Sequence, residues 1–214
     1  MVDSVYALGR DKESMAGVSA RSTFSDKYFA AERLDETTVD SVTFAHCTFL
    51  NLSFKRATIT GCAFSDCIFV GCYFRRSTLA SAFTGCRFID CDFSHVAVLG
   101  ASFKYSRFRE CFIAFKEIKL SLPMEPNLNE SLCRNLGIEA TKLGFDNDAH
   151  AFRLHEIRAR EQHLHEAICS DSEWYRTHFD LPRRISAGVE LMVSILNRHL
   201  WGYGERARTL VRNI

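Results

Sequence analysis

The chain has 214 residues and nearly balanced charge, with 27 lysines and arginines against 26 aspartates and glutamates, which leaves a net charge of +1. This balance argues against a nucleic-acid binder that depends on bulk positive charge. No stretch reaches the roughly 20 apolar residues that a membrane-spanning helix needs, and residues 1–20 contain no apolar run long enough for a signal peptide.

An apolar residue recurs every five positions from Phe24 to Ile118, and nearly every one is Phe, Leu, Ile or Val. One residue is skipped between Leu79 and Phe83, after which the series continues. Neither an α-helix nor a flat strand produces a strict period of five. A short fixed period is typical of a solenoid, in which each repeat packs on its neighbours.

Every fourth member of this series has the same character, so the sequence has a second period of 20 residues. Two columns contain only phenylalanine: Phe24, Phe44, Phe64, Phe83 and Phe103, and Phe29, Phe49, Phe69, Phe88 and Phe108. From Thr37 to Cys111, the position two residues before each member is small or compact, and it holds seven of the nine cysteines. Both positions are therefore predicted to point inward, with the cysteines as buried, reduced thiols rather than a disulfide framework.

Segments such as Cys62–Asp66 and Ala101–Tyr105 match a loose pattern of a small residue, a polar residue, Phe or Leu, and two polar residues. This in-phase pattern resembles the bacterial pentapeptide-repeat family. The resemblance implies a fold that is mainly β plus α: a right-handed quadrilateral β-helix of about five coils, followed by an α-helical region. The expected organisation is an N-terminal tail or cap at 1–20, a β-helix at 21–120 and a helical region at 121–214.

One predicted face carries a basic patch on two successive coils, formed by Lys55, Arg56, Arg75 and Arg76. The coil before it carries Asp35 and Glu36 at the equivalent positions. Two interpretations are open. The patch is either inter-coil ion pairing that also aids solubility, or a binding surface for an acidic partner or a phosphate. Four stacked like charges without intervening carboxylates repel one another. This repulsion is the reason to retain the binding hypothesis.

The neighbouring face carries a predicted apolar stripe. Leu50, Val70 and Ile89 occupy the same outward position on three coils, and Ile68 lies beside Val70. An exposed contiguous apolar patch usually marks an interface. The C-terminal helices, a second copy of the chain or another protein partner would each account for it.

After residue 120 the period of five ends, prolines mark a linker, and the chain is predicted to be helical over about 128–143, 148–168, 173–179 and from 182 onward. The first helix is expected to dock on the lower end of the β-helix through Leu132 and Leu136. The last has a broad apolar side, which predicts a homodimer through the helical region; its residues are Ile185, Val189, Met192 and Ile195.

The stretch Trp201-Gly202-Tyr203-Gly204-Glu205-Arg206 follows these helices. It resembles a junction in some pentapeptide-repeat proteins, which in longer members leads into a small two-span ion-channel-like membrane domain. Membrane association is therefore expected only if the natural chain extends beyond Ile214, and the chain is otherwise expected to be cytoplasmic.

The sequence contains no nucleophile elbow, Gly-rich phosphate loop or metal-spaced cysteine set, so no catalytic residue, metal or cofactor is expected. The predicted function is a non-enzymatic scaffold or protein-interaction module; one version of it is the cytoplasmic part of a membrane-channel-like pentapeptide-repeat protein. The alternative is a DNA-mimicking inhibitor of a topoisomerase (gyrase). That activity requires a strongly acidic rod, whereas residues 20–118 carry 12 basic and 10 acidic side chains. No nucleic-acid partner is expected.

Overall fold

The computed structural model describes residues 9–170 and 172–201. The chain divides into two compact units at the boundary between Glu156 and Ile157. The first unit contains the strands β1 (Asp11–Lys12), β2 (Thr23–Ser25), β3 (Lys27–Ala30), β4 (Thr38–Asp40), β5 (Thr43–Ala45), β6 (Thr48–Leu50), β7 (Thr58–Ser65), β8 (Ile68–Val70), β9 (Thr78–Thr84), β10 (Arg87–Ile89), β11 (Ala97–Val98) and β12 (Arg107–Arg109).

The strands wind into a β-solenoid in which each coil pairs with the next. One parallel sheet has the order β1-β3-β6-β8-β10-β12, and a second has the order β11-β9-β7-β5-β2 with β4 paired to β7. Phe69 lies in register with Phe49 on one side and Phe88 on the other, which is the spacing of the predicted columns. The predicted pentapeptide-repeat fold, with parallel strands, about five coils and helices after them, is confirmed.

The single residue that the five-residue repeat skips is missing from β9. The pairing of β7 with β9 shifts by one residue at this point, so that Gly61 and Cys62 lie opposite Ser81 alone. The Ser81 hydroxyl accepts a hydrogen bond from Cys62 N at 3.0 Å and donates one to Ile59 O at 3.1 Å. Ser81 thus provides hydrogen-bond partners for backbone groups of β7, the longer of the two strands. The inward columns on both sides of the skip stay in phase.

The coils turn at residues in the left-handed conformation. Apart from the skip, every fifth residue from Asp26 to Glu110 has a positive φ, and most of these residues are not glycine. This conformation costs an L-residue about 1–2 kcal/mol. The ladder hydrogen bonds on either side of each corner hold it, so the solenoid backbone is stiff at every turn.

Phenylalanine rings fill the interior in stacks. Phe49 and Phe69 are nearly parallel with centroids 4.6 Å apart, and Phe69 and Phe88 lie 4.8 Å apart. Rings of neighbouring columns meet edge to face, as Phe64 and Phe69 do at 5.5 Å. Both geometries are favourable for aromatic pairs. Phe64 and Phe69 are buried, which confirms that the columns point inward.

All nine cysteines are free thiols, and all except Cys169 are buried. The thiols of the solenoid donate to backbone carbonyls; Cys67 Sγ, for example, lies 3.5 Å from Phe44 O. Burial raises the pKa of the Cys62 and Cys91 thiols, because a thiolate is poorly solvated in this interior. These stacked cysteines therefore act as small apolar side chains and are poor nucleophiles.

The last coil is closed by α1 (Phe115–Ile118), a short 3-10 turn (Lys119–Ser121) and α2 (Pro126–Lys142). The Asn135 carboxamide of α2 accepts a hydrogen bond from Phe108 N at 2.7 Å and donates one to Phe108 O at 2.9 Å. Glu139 accepts another from Glu110 N at 2.7 Å. Side chains of α2 thus replace the next coil at the free edge of β12, where unpaired backbone groups invite aggregation.

The same helix buries its apolar side against the solenoid. Leu132 and Leu136 are part of the core cluster that also contains the last inward residues of the coils. The predicted docking of the first C-terminal helix on the lower end is confirmed.

The remaining helices are α3 (Asp146–Cys169), α4 (Glu173–His178) and α5 (Leu181–Trp201). The second unit has a small core of Leu164, Ala167, Tyr175 and Ala187. Within the described residues, none of the helices combines the length and the apolar character that crossing a bilayer requires. Residues 202–206, which make up most of the predicted Trp-Gly-Tyr-Gly-Glu-Arg junction, lie outside the described residues.

Candidate functional site

The basic residues identified in the sequence lie together on one face of the solenoid. They line, with Asp35, a surface groove of about 240 Å³, called here the basic groove: Lys55, Arg56, Arg75 and Arg76. The solenoid backbone positions them, since Arg56 N donates to Arg75 O at 3.1 Å across adjacent coils. Arg56 and Arg76 occupy left-handed corners with φ of 56° and 57°, from which their side chains project outward.

Asp35 and Glu36, on the coil before the groove, neutralise part of its positive charge. Arg56 forms an ion pair with Glu36, and both side chains are more than half exposed. Such exposed pairs contribute about 0–1 kcal/mol. Asp35 accepts hydrogen bonds from the Ser53 hydroxyl and from Lys55 N, and these bonds, the first above all, lower the pKa of its carboxyl. The structural interpretation of the patch therefore accounts for Arg56 and the carboxylates.

Lys55 makes a different contact. Its Nζ lies 5.2 Å from the centroid of the Tyr73 ring on the next coil, within the range of a cation–π interaction. Tyr73 and Ser53 were not among the predicted site residues. Both occupy the outward position before an inward phenylalanine, one coil apart, so the 20-residue period could have placed them on this face.

Arg75 and Arg76 are the unpaired part of the groove. Both are exposed, and within the described residues neither forms an ion pair or a side-chain hydrogen bond. On the next coil Asp92 is already bonded to Ser94, through its backbone N at 2.8 Å and its hydroxyl at 2.5 Å. Two adjacent guanidinium groups therefore remain available to an external anion. Guanidinium forks suit carboxylates and phosphates.

The apolar stripe forms, but it is not exposed as the sequence analysis expected. Leu50, Ile68 and Val70 are only 3%, 7% and 7% exposed and make up a separate small cluster. Leu50 on β6 is in register with Val70 on β8, Ile68 lies on β8 two residues before Val70, and Ile89 and Tyr28 pack against this cluster from the flanking strands. Because these neighbours shield them, the three buried residues offer little surface to a protein partner.

The histidine-rich stretch of α3 makes side-chain contacts with the helices that follow it. His163 Nδ1 lies 2.9 Å from the Tyr175 hydroxyl, and Glu161 accepts a hydrogen bond from Arg198 at 2.8 Å. In the part of the chain that the structure describes, no group of three or more His, Cys, Asp or Glu side chains is arranged to hold a metal ion.

Comparison with known proteins supports the repeat. Residues 34–78 match the family model for pentapeptide repeats, described as nine copies, so the chain contains pentapeptide repeats. The match does not reach the stretch at 201–206, whose resemblance to a channel junction stays an expectation. None of the curated proteins compared with the chain gives a significant match.

Among solved structures, the chain is similar to QnrB1, described as a plasmid-mediated fluoroquinolone resistance protein. A trypsin-treated form is 22% identical over 42% of this chain and 44% of that chain, with a TM-score of 0.25. The full-length form is 20% identical over 41% and 44%, with a TM-score of 0.22. The chain thus spans less than half the length of these two structures, and scores this low carry no argument about activity.

Proposed function

We propose that this protein is a non-enzymatic interaction module whose solenoid presents the basic groove to an acidic segment of a protein partner. The observation that carries the proposal is the adjacent pair Arg75 and Arg76, exposed and without an ion-pair partner in the described structure. Neighbouring charges of the same sign destabilise the free protein slightly. A carboxylate-bearing partner removes that repulsion.

The groove is well suited to binding because its backbone is already ordered. Arg76 N donates to Ser94 O at 3.0 Å and Arg56 N to Arg75 O at 3.1 Å, so both coils hold the roots of the arginines in place. Only the side chains lose freedom when an anion binds, which lowers the entropic cost of association. Binding that depends on such exposed charges weakens as salt rises.

The test uses a defined probe, an acetylated peptide of alternating Glu and Ser, titrated by calorimetry at low and at physiological ionic strength. The groove variant combines Arg75→Ser with Arg76→Asn, because asparagine tolerates the left-handed corner. We expect at least about tenfold weaker binding with an unchanged or slightly raised melting temperature. The matched control, Arg21→Asn with Arg158→Ser, removes two exposed arginines elsewhere and should bind like the parent.

A lower melting temperature of the groove variant would show that the patch is structural. Equal binding by the parent and the groove variant would remove the basic groove as the docking site.

The alternative, inhibition of a topoisomerase by imitation of DNA, requires a continuous acidic surface. The faces of the solenoid instead carry both signs, and the exposed groove is basic. A supercoiling assay with a bacterial gyrase separates the two functions. The interaction-module proposal predicts no inhibition by the purified protein, and inhibition that survives in the groove variant would favour the alternative.

A further inference from the structure

A second cluster of arginines lies on the face formed by β10 and β12, apart from the basic groove. Arg87 is in register with Arg107 on the next coil, and Arg109 follows two residues later on the same side of β12. Strands of adjacent coils are about 4.8 Å apart, so these charges are close neighbours. Like charges directly opposite one another are destabilising. We call these three residues the arginine triad.

The arginine triad is not neutralised by the fold. All three side chains are exposed, and among the described residues none of them forms an ion pair or a side-chain hydrogen bond. Asp90 and Glu110, at the adjoining corner, form no ion pair with them either. The cluster therefore presents an unbalanced positive surface at the lower end of the solenoid.

This surface borders a cleft of about 440 Å³ between the last coil and α2. Arg107 lines the cleft together with apolar side chains that include Tyr105, Leu128 and Ile138. A volume of this size lies in the range of ligand sites, and the lining mixes apolar and polar side chains. The cleft lies wholly within the first unit.

The other large polar side chains of the cleft are already engaged. Arg134 pairs with Glu130 at 2.5 Å and with Glu156 at 2.9 Å. Asn135 uses its carboxamide on the backbone of β12. Arg107 therefore remains the cationic group in the described lining that can bind an incoming anion.

Tyr105 provides an independent observation. Its ring is 69% exposed, and its backbone has a φ of 60°. The equivalent corners of the earlier coils hold Asp26, His46, Asp66 and Gly85. The left-handed conformation is shared by these corners, so what distinguishes Tyr105 is its bulky, exposed aromatic ring. An exposed aromatic ring beside a cleft is also a common anchor in protein interfaces.

We propose that this cleft docks a short acidic peptide segment of a protein partner. One apolar side chain of the segment enters the cleft between Tyr105, Leu128 and Ile138, and flanking carboxylates bind the arginine triad. An apolar anchor with charged flanks matches a cleft that offers apolar side chains at this point and a positive rim. The site goes beyond the basic groove and does not depend on it, since it uses another face and different residues.

The test is an NMR titration of the full ¹⁵N-labelled chain with the unlabelled acetylated peptide Asp-Glu-Leu-Glu-Asp. We expect saturable shift changes at the amides of Tyr105, Ser131 and Ile138. One control peptide carries Ala in place of Leu, and the other carries Asn and Gln in place of the acids. Both should bind at least about tenfold more weakly, because one lacks the anchor and the other lacks the charge.

Arg107→Ser and Tyr105→Asn should each weaken binding of the leucine peptide by about tenfold. Asparagine suits the left-handed corner, so Tyr105→Asn should keep or raise the melting temperature, which separates lost binding from lost folding. The groove variant, with Arg75→Ser and Arg76→Asn, should shift the same amides with unchanged affinity. The proposal is overturned if the parent shows no shifts at the cleft, if the alanine peptide binds as tightly, or if the groove variant alone loses binding.

Discussion

The inward phenylalanine Phe64 is held between the equivalent rings of the coils on either side. The Phe64 ring lies 5.0 Å from that of Phe44 and 4.7 Å from that of Phe83, and the residue is only 4% exposed. Phe64→Ala removes both stacks and leaves a cavity that a stiff solenoid cannot close. We expect the free energy of unfolding to fall by about 3–5 kcal/mol, measured by urea denaturation.

A control for this substitution is Tyr73→Ala, which removes an aromatic ring that is 46% exposed. It should cost about 1 kcal/mol or less. Similar losses for the two variants would contradict the assignment of Phe64 to a rigid inward column.

Asp35 offers a test of the electrostatics at the edge of the basic groove. Hydrogen bonds from Ser53 and from Lys55 N, with the nearby charge of Arg33, lower the pKa of this carboxyl below its ordinary value of 3.8. A lowered pKa contributes stability that is present above the ordinary value and is lost as the pH falls through the folded-state pKa. Ser53→Ala should raise the pKa of Asp35 toward 3.8, measured by carboxyl ¹³C NMR; an unchanged titration would show that this hydrogen bond has little effect.

The number of free thiols provides a chemical test of the solenoid interior. Titration of the denatured, unreduced protein should return nearly nine free thiols, because the stacked cysteines are unbridged. In the native protein, Cys169 should react first, since it is exposed and the other cysteines are buried. A denatured count well below nine would contradict the unbridged arrangement.

Among the secondary-structure elements, α2 has a capping role that its amphipathic pattern alone does not reveal. Asn135→Ala leaves the N–H and C=O of Phe108 without partners at the last strand. We expect a loss of about 1–3 kcal/mol in unfolding free energy, and a greater tendency to form large assemblies on warming, measured by urea denaturation and light scattering. Ser131→Ala, an exposed change on the same helix, is the control, and equal behaviour of the two variants would contradict the capping role.

The local pattern predicted these two helices closely but placed both starts too late. Helices expected at 128–143 and 148–168 are observed as Pro126–Lys142 and Asp146–Cys169. The first begins at Pro126, whose missing N–H costs nothing in the first turn of a helix. Termini depend on such local chemistry, while helix existence depends on a longer pattern.

The site was predictable only as far as the repeat determines it. The 20-residue period placed Arg75 beside Lys55 correctly, because register fixes which residues share a face. It did not predict the contact of Lys55 with Tyr73, or the burial of Leu50 and Val70. Both depend on how side chains of adjacent coils pack against one another, which periodicity does not specify.

At the scale of the whole molecule, one large apolar surface remains without a partner in the described structure. One side of α5 packs inward through Ala187 and Leu191. The opposite side carries side chains that are 50–72% exposed: Leu181, Ile185, Val189, Met192, Val193 and Leu196. Ile195, which was also expected on this side, is only partly exposed.

A continuous exposed apolar stripe on a helix of 21 residues is typical of a helix that packs on another helix. We expect two copies of the chain to associate through α5, and sedimentation velocity should show a dimer. Val189→Glu with Met192→Glu places two carboxylates in the middle of the stripe and should give a monomer with an unchanged helix content. Thr141→Glu adds a charge at an exposed position of α2, outside α5, and should leave the dimer intact, because it buries no carboxylate. A monomeric parent chain, or a dimer that survives the double substitution, would contradict assembly through this helix.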